Sequence, residues 1–340
     1  MTELLDRARV FADEVLFPAA TQVDRTGEIP ASHWEQIAAL GLYGLAAPSA
    51  DGGPGVDLPV LFDVLEAMAG GCLATAFTWE QHHGVVLGMV NTTNLTLRDR
   101  YLADLVAGRV RGGVAFAGVI PDPPRMQARR GDGGWLITGD APFVSGWGII
   151  DILQMSAGDV DTADVIAAIV PATEQPGITR VEPQPLVAAD ATRTVSLRVD
   201  DLFVPDEHIA SQVPRAQFMA NQVIGVRING TLPIGLVRRC VRLLDQAGAT
   251  DAAERLGLEC DEVRGQLDAG LADPPSLNAA RATAAQLAVR AGAALVVAGG
   301  GPSLRRDHPA QRLAREAVFT LVAASRAQVK RALLEDLSSR

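Results

Sequence analysis

The hydrophobic period of this 340-residue chain changes twice, and that switch constrains the fold more than any single motif. Up to about residue 110, Leu4, Leu5, Ala8, Val10, Phe11 and Val15 set a helical spacing that continues through later segments. From about 111 to 208 the runs shorten. GVAFAG, WLIT, DILQMSA, DVIAAIV and TVSLRV are rich in Val, Ile and Thr and separated by Gly, Pro and Asp, which predicts antiparallel strands. GDGG (131–134) predicts a turn between two of them. From about 214 a four-residue spacing returns in Leu236, Cys240 and Leu244, in Leu313, Ala317 and Leu321, and in Val329, Leu333 and Leu337. This order predicts an α+β chain in three units. They are an N-terminal α-helical domain (1–110), a middle antiparallel β domain (111–210) and a C-terminal four-helix bundle (211–340).

Local signals refine the plan. Ser32 with Glu35 predicts a capping box, and Gly41 predicts the end of the helix it opens. PSADGGPG (48–55) predicts a loop, followed by helices over about 58–69 and 72–90. The bundle is expected over 214–247, 251–270, 276–298 and 309–337, with Pro233 starting or kinking a helix.

Composition excludes several functions. Aromatics make up only 4%, so Ala, Val and Leu must fill the core. A net charge of −10 argues against nucleic acid, which needs a clustered basic surface. The single lysine, Lys330, leaves no P-loop and almost no scope for Schiff-base chemistry. Cys72, Cys240 and Cys260 are isolated, so neither a disulfide framework nor a metal site is expected. The opening MTELLDRARVFADEV is charged and amphipathic, unlike a signal peptide. No stretch of about 18 apolar residues is free of charges or strong breakers, so no membrane span and a cytoplasmic location are expected.

Four segments are candidates for chemistry. Gly299-Gly300-Gly301-Pro302 reads as an interhelical turn or as backbone that approaches a phosphate closely. His82 and His83 are adjacent on an expected helix and so point to different faces. At most one can line a pocket with Trp79 or Glu80, where an imidazole suits proton transfer near neutral pH. Phe143 to Gly148 reads as a strand end, or as a wall for a planar cofactor with the Ser145 hydroxyl available. Asp307-His308-Pro309 reads as a helix cap.

In order and spacing, the chain resembles the acyl-CoA dehydrogenase superfamily. The resemblance rests on DRTGEIP (24–30), GLYGL (41–45), PSADGGPG, GDGGWLITGDAPFVSG, VDDLFVPDEHI (199–209) and GGGPSLRRDHPAQRLAREA (299–317). It implies the three-domain fold above and FAD bound between the β domain and the bundle. It also implies an oligomer, a dimer or tetramer, whose neighbouring subunit completes the cofactor site. The implied reaction is α,β-desaturation of an acyl-CoA or acyl-carrier-protein thioester, with an electron-transfer partner. By position, Phe143, Val144 and Ser145 take the place of the family's W-I-T beside the flavin ring. Gly118 falls near the Thr of its T-E-P-G segment, and Gly299, Gly300 and Gly301 take the place of the loop that approaches a neighbour's cofactor.

The departures fall on the catalytic positions. The family's proton-accepting Glu would stand at Ala324 or, in other members, at Gly225. The flavin-contacting T-E-P-G-A-G-S-D run is replaced by Gly118 to Pro124, and the Arg-x-x-Phe-Gly grip on the diphosphate is missing from a shortened 246–272. Three readings follow: a dehydrogenase with a relocated base (His82, His83, Glu80 or a partner's residue), a catalytically incomplete subunit paired with a second dehydrogenase subunit, and a flavin-dependent monooxygenase. No carboxylate of this chain is expected to reach the flavin slot.

Overall fold

A computed structural model describes residues 2–324 and 326–338. Six α-helices open the chain: α1 (Thr2–Phe11), α2 (Phe17–Thr26), α3 (Ala31–Ala39), α4 (Leu58–Gly71), α5 (Leu73–Asn91) and α6 (Leu95–Val106). Eight strands follow: β1 (Gly112–Ala115), β2 (Met126–Gly131), β3 (Gly134–Val144), β4 (Ile152–Asp159), β5 (Asp164–Pro171), β6 (Ile178–Pro183), β7 (Val195–Pro205) and β8 (Ile209–Pro214). The chain then returns to helix in α7 (Arg215–Ala220), α8 (Val223–Gln246), α9 (Thr250–Ala269), α10 (Pro274–Gly299), α11 (Pro309–Thr320) and α12 (Ala327–Ser338).

The strands form one sheet in the order β6-β7-β3-β2-β4-β5-β8. It is mixed rather than antiparallel. β1 runs parallel to β4 from Gly112↔Ile152 to Ala115↔Met155, and β2 runs parallel to the far end of β4 at Gln127↔Gly158. Both strands therefore share one edge of β4, a pairing that alternation within a strand does not encode. The GDGG turn joins β2 to β3, with Gly133 in the left-handed conformation.

Several local expectations change. Helix α3 begins at Ala31 after Pro30, so Ser32 lies inside it and does not cap. Pro233 lies within α8, which runs through it. The first and last bundle segments are each split, into α7 and α8 and into α11 and α12. Leu337 is exposed, so the last stripe buries only Val329 and Leu333. Helix α10 is long and apolar enough by composition to cross a membrane, yet it packs against α8, α9, α11 and α12 in the bundle. The three cysteines are free and buried.

Helix α5 positions the rest. Its first half, Leu73 to Trp79, belongs to a core shared by the N-terminal helices and the bundle. Its second half, Val85, Val86 and Met89, packs with α6 and with Ile152 and Ile169 of the sheet. Gly84 and Gly88, one turn apart, let α5 lie against the strands: a Cβ on Gly84 would touch Val114 at 3.2 Å, and one on Gly88 would run into Gln154. The crossing of α4 over α8 is equally close, because a Cβ on Gly70 would stand 2.8 Å from the Gly235 carbonyl oxygen.

Candidate active site

A cavity of about 680 Å³ opens where the three units meet. Its walls come from α5, the strands β1, β4, β5 and β8, helix α7, the first turns of α8, Arg281 of α10, and the residues around Ala324. Val114, Phe116, Val165, Val213, Phe218, Ile224 and Ile228 give it apolar surface. Gly225 and Ala324, the two positions where the resemblance expects a proton-accepting Glu, both stand on this wall. A Cβ added at Gly225 would meet nothing within 4 Å.

Glu80 is also on the wall, which corrects the expectation that no carboxylate of this chain reaches the cavity. It is the one acid among the described lining residues. It is buried, and neither carboxyl oxygen has a hydrogen-bond partner. Burial pushes its pKa well above the carboxylate range, and the Arg281 charge offsets this only in part. Burial thus favours the neutral form of Glu80 over the carboxylate. Arg281 is equally buried: Nη2 donates to the Thr320 carbonyl oxygen at 2.9 Å, while Nη1 has no partner. Desolvation lowers its pKa to about 10, so it stays charged. Arg326 donates to Gln222 Oε1 at 2.8 Å. Asn229 donates from Nδ2 to the Gly225 carbonyl oxygen at 2.8 Å, leaving Oδ1 unpartnered.

The histidine candidates are elsewhere. The Gly112 N–H donates to His82 Nδ1 at 3.0 Å, which fixes the proton on Nε2, and Nε2 donates to the Leu105 carbonyl oxygen at 3.1 Å. Both ring nitrogens are used to tie α5 to α6 and β1, and burial lowers the pKa to about 4. His83 is enclosed edge-on against Trp79, with neither nitrogen partnered, and does not line the cavity. Neither imidazole is among the residues that line the cavity, so neither is placed to exchange protons there.

The proposed cofactor residues also lie off this wall. Phe143 adopts a left-handed φ of 55°, an outlier for an aromatic residue, and is 66% exposed. Val144 is core, packed inside the sheet. Ser145 shares a hydrogen bond of 2.7 Å with Thr194 Oγ1, which shares one of 2.9 Å with Thr192 Oγ1. Three hydroxyls make two bonds, so one proton is left over. Thr192 is fully buried, and the arrangement that strands no proton in the core has Thr192 donating to Thr194, Thr194 to Ser145, and Ser145 outward. An uncovered aromatic ring beside a hydroxyl with a free proton fits the ring end of a flavin.

Other positions fit it less. Gly118 is a glycine for internal reasons, since a Cβ there would collide with Met126 and stand 2.6 Å from the Asp140 carbonyl oxygen. Gly299, Gly300 and Gly301 lie at the far end of α10 from Arg281, roughly 27 Å along the axis at 1.5 Å per residue. Gly300 takes φ 60° and ψ −151°, open essentially to glycine alone. The α8–α9 connection is a turn at 247–249, with no room for a diphosphate-gripping motif.

Comparison with known proteins agrees with this arrangement. The family model for the acyl-CoA dehydrogenase N-terminal domain matches residues 1–109. These residues match the N-terminal domain of the acyl-CoA dehydrogenases, and the relatives and structural neighbours of the whole chain are acyl-CoA dehydrogenases. It is 23% identical over 359 residues to a mitochondrial 2-methylacyl-CoA dehydrogenase of Solanum tuberosum, covering 95% of this chain and 87% of the relative. Butyryl-CoA dehydrogenase from Megasphaera elsdenii superposes with a TM-score of 0.86 at 17% identity, over 99% of this chain and 98% of the other. A glutaryl-CoA dehydrogenase from Mycobacterium smegmatis, in complex with FADH2, does so with 0.82 at 14% identity, over 100% and 94%. At such identities the superpositions establish the fold.

Of the residues on the cavity wall, Arg281, Arg326, Asn229 and Gln154 carry no sequence motif. The one signal for Arg281 is a charge in an alanine-rich helical run, AARATAAQL.

Proposed function

We propose that the protein is an acyl-CoA dehydrogenase-like oxidoreductase that binds FAD and takes an acyl-CoA or acyl-carrier-protein thioester in the three-way cavity. We further propose that the group accepting the α-proton comes from outside this chain, from a second dehydrogenase subunit. The carrying observation is that Gly225 and Ala324 both stand on the cavity wall and neither is an acid. The fold and the names of the relatives support the substrate class.

Bound FAD supplies the acceptor for a hydride leaving the β-carbon. Phe143 and Ser145 would hold its ring end, the serine by donating its free proton. The apolar wall keeps water from the acyl chain, and the desolvated interior strengthens any hydrogen bond to the thioester carbonyl that acidifies the α-proton. Burial disfavours the ionised form in which Glu80 could take that proton.

The test is the visible spectrum of the chain purified alone and co-expressed with a candidate second subunit, followed by anaerobic addition of acyl-CoA thioesters. Flavin bleaching that needs the second subunit is the expected result. A protein without flavin in both forms contradicts the cofactor, and oxygen-dependent hydroxylation without anaerobic bleaching favours the monooxygenase.

A further inference from the structure

A plain acyl chain needs only apolar walls, and the wall of this cavity is not apolar throughout. Four buried oxygen atoms of wall residues have no hydrogen-bond partner: both Glu80 carboxyl oxygens, Asn229 Oδ1 and Gln154 Oε1. One buried donor, Arg281 Nη1, is likewise unpartnered. Glu80 and Arg281 are only 4% and 3% exposed. The Asn229 assignment is fixed by its neighbour, because Nδ2 already donates to the Gly225 carbonyl oxygen. Buried polar groups in folded proteins are nearly always paired, so five orphans around one space point to a group that enters it.

The census selects the chemistry of that group. A methylene chain would leave all five atoms unpaired. A carboxylate could accept from Arg281 Nη1 but brings no donor, so it would leave Asn229 Oδ1 and Gln154 Oε1 unpaired. An ammonium brings only donors and meets the Arg281 charge. A hydroxyl donates once and accepts twice, so it can give its proton to Glu80 or Asn229 and accept from Arg281 Nη1. This holds in either protonation state of Glu80, since a protonated carboxyl still accepts through its carbonyl oxygen.

We propose that the cavity takes an acyl group bearing a hydroxyl, and that Glu80, Arg281 and Asn229 hydrogen-bond that hydroxyl. The substrate class rests on the acyl-thioester reading above; the polar cluster stands on its own geometry. A site that hydrogen-bonds a substrate hydroxyl rejects the analogue that lacks it, because its own polar groups are then left unpaired.

The experiment is calorimetric titration of the purified protein with hexanoyl-CoA, its 4-, 5- and 6-hydroxy derivatives, and the equally long ω-carboxylate. At least one hydroxy derivative is expected to bind about tenfold or more tighter than hexanoyl-CoA. Glu80→Leu should abolish that preference, while Glu80→Gln, which keeps an acceptor, should retain it within about threefold. Near-equal binding of all the thioesters, tightest binding of the ω-carboxylate, or a preference that survives in both Glu80→Leu and Arg281→Met overturns the proposal. If no thioester binds, the acyl-thioester reading falls. The cluster is then judged by thermal shifts with the free hydroxyhexanoates against hexanoate: larger shifts that Glu80→Leu removes uphold it, and equal shifts overturn it.

Discussion

Replacing Glu80 by Gln should change the pH dependence of stability rather than its size alone. Glu80 is buried without a partner, and burial raises its pKa well above the ordinary value. In the unfolded chain the same carboxyl ionises in the usual carboxylate range. Between the two values the folded protein holds one more proton than the unfolded chain. Its contribution to stability is therefore fully present below the unfolded value and falls as pH rises through the window. The slope is about tenfold in the folding equilibrium per pH unit, roughly 1.4 kcal/mol. Glutamine keeps the size and removes the titration. Glu80 lies on a helix whose first half belongs to the core joining the N-terminal helices to the bundle, so its effect should reach the main unfolding transition. The assay is urea unfolding of both proteins at a series of pH values between about 5 and 8. The advantage of Glu80→Gln should grow with pH at up to the slope above and level off once the folded carboxyl ionises. Parallel curves would refute the reasoning, since they would mean that Glu80 ionises in the folded protein as it does in water.

Other substitutions test other parts of the account. Ser145→Ala removes the hydroxyl whose proton is free to leave the Thr192–Thr194 chain; flavin affinity should fall or the visible spectrum shift, and an unchanged spectrum and affinity would place the ring elsewhere. Arg312 and Glu316 form a buried ion pair, with Nη1 2.8 Å from Oε1. Arg312→Met should cost about 3–5 kcal/mol by leaving Glu316 unpaired, and Arg312→Met with Glu316→Leu should recover much of it in urea titrations. Gly139 takes φ 138°, and an added methyl would run into the Arg125 carbonyl oxygen, so Gly139→Ala should lower the urea midpoint sharply.

The helical and strand blocks were legible because each encodes its own burial. The helical stripe of Leu236, Cys240 and Leu244 states which face turns inward, and the continuous apolar run of β5 marks a strand buried on both faces. Pairing across the sheet was not legible: β1 and β2 lie end to end on one edge of β4, and no local pattern specifies that neighbour. At the site, counting along the chain placed Gly225 and Ala324 on the cavity wall. The histidines misled because an imidazole that satisfies backbone groups, as His82 does, has the same sequence signature as one that transfers protons. Arg281 stands 201 residues from Glu80, and only folding shows that these two charges in apolar helices share one cavity.

The missing proton acceptor is the claim on which the functional reading turns. Gly225 lines the cavity and has room for a Cβ, so Gly225→Glu can add a carboxyl to this wall. The decisive measurement is the rate of anaerobic flavin bleaching by acyl-CoA in the flavin-loaded chain without a second subunit, for the wild type and for Gly225→Glu. The account expects negligible bleaching by the wild type and a gain of about a hundredfold or more in the variant, the usual worth of a positioned base. Rapid bleaching by the wild type alone, lost in Glu80→Gln, would contradict it by showing that this chain carries its own proton acceptor.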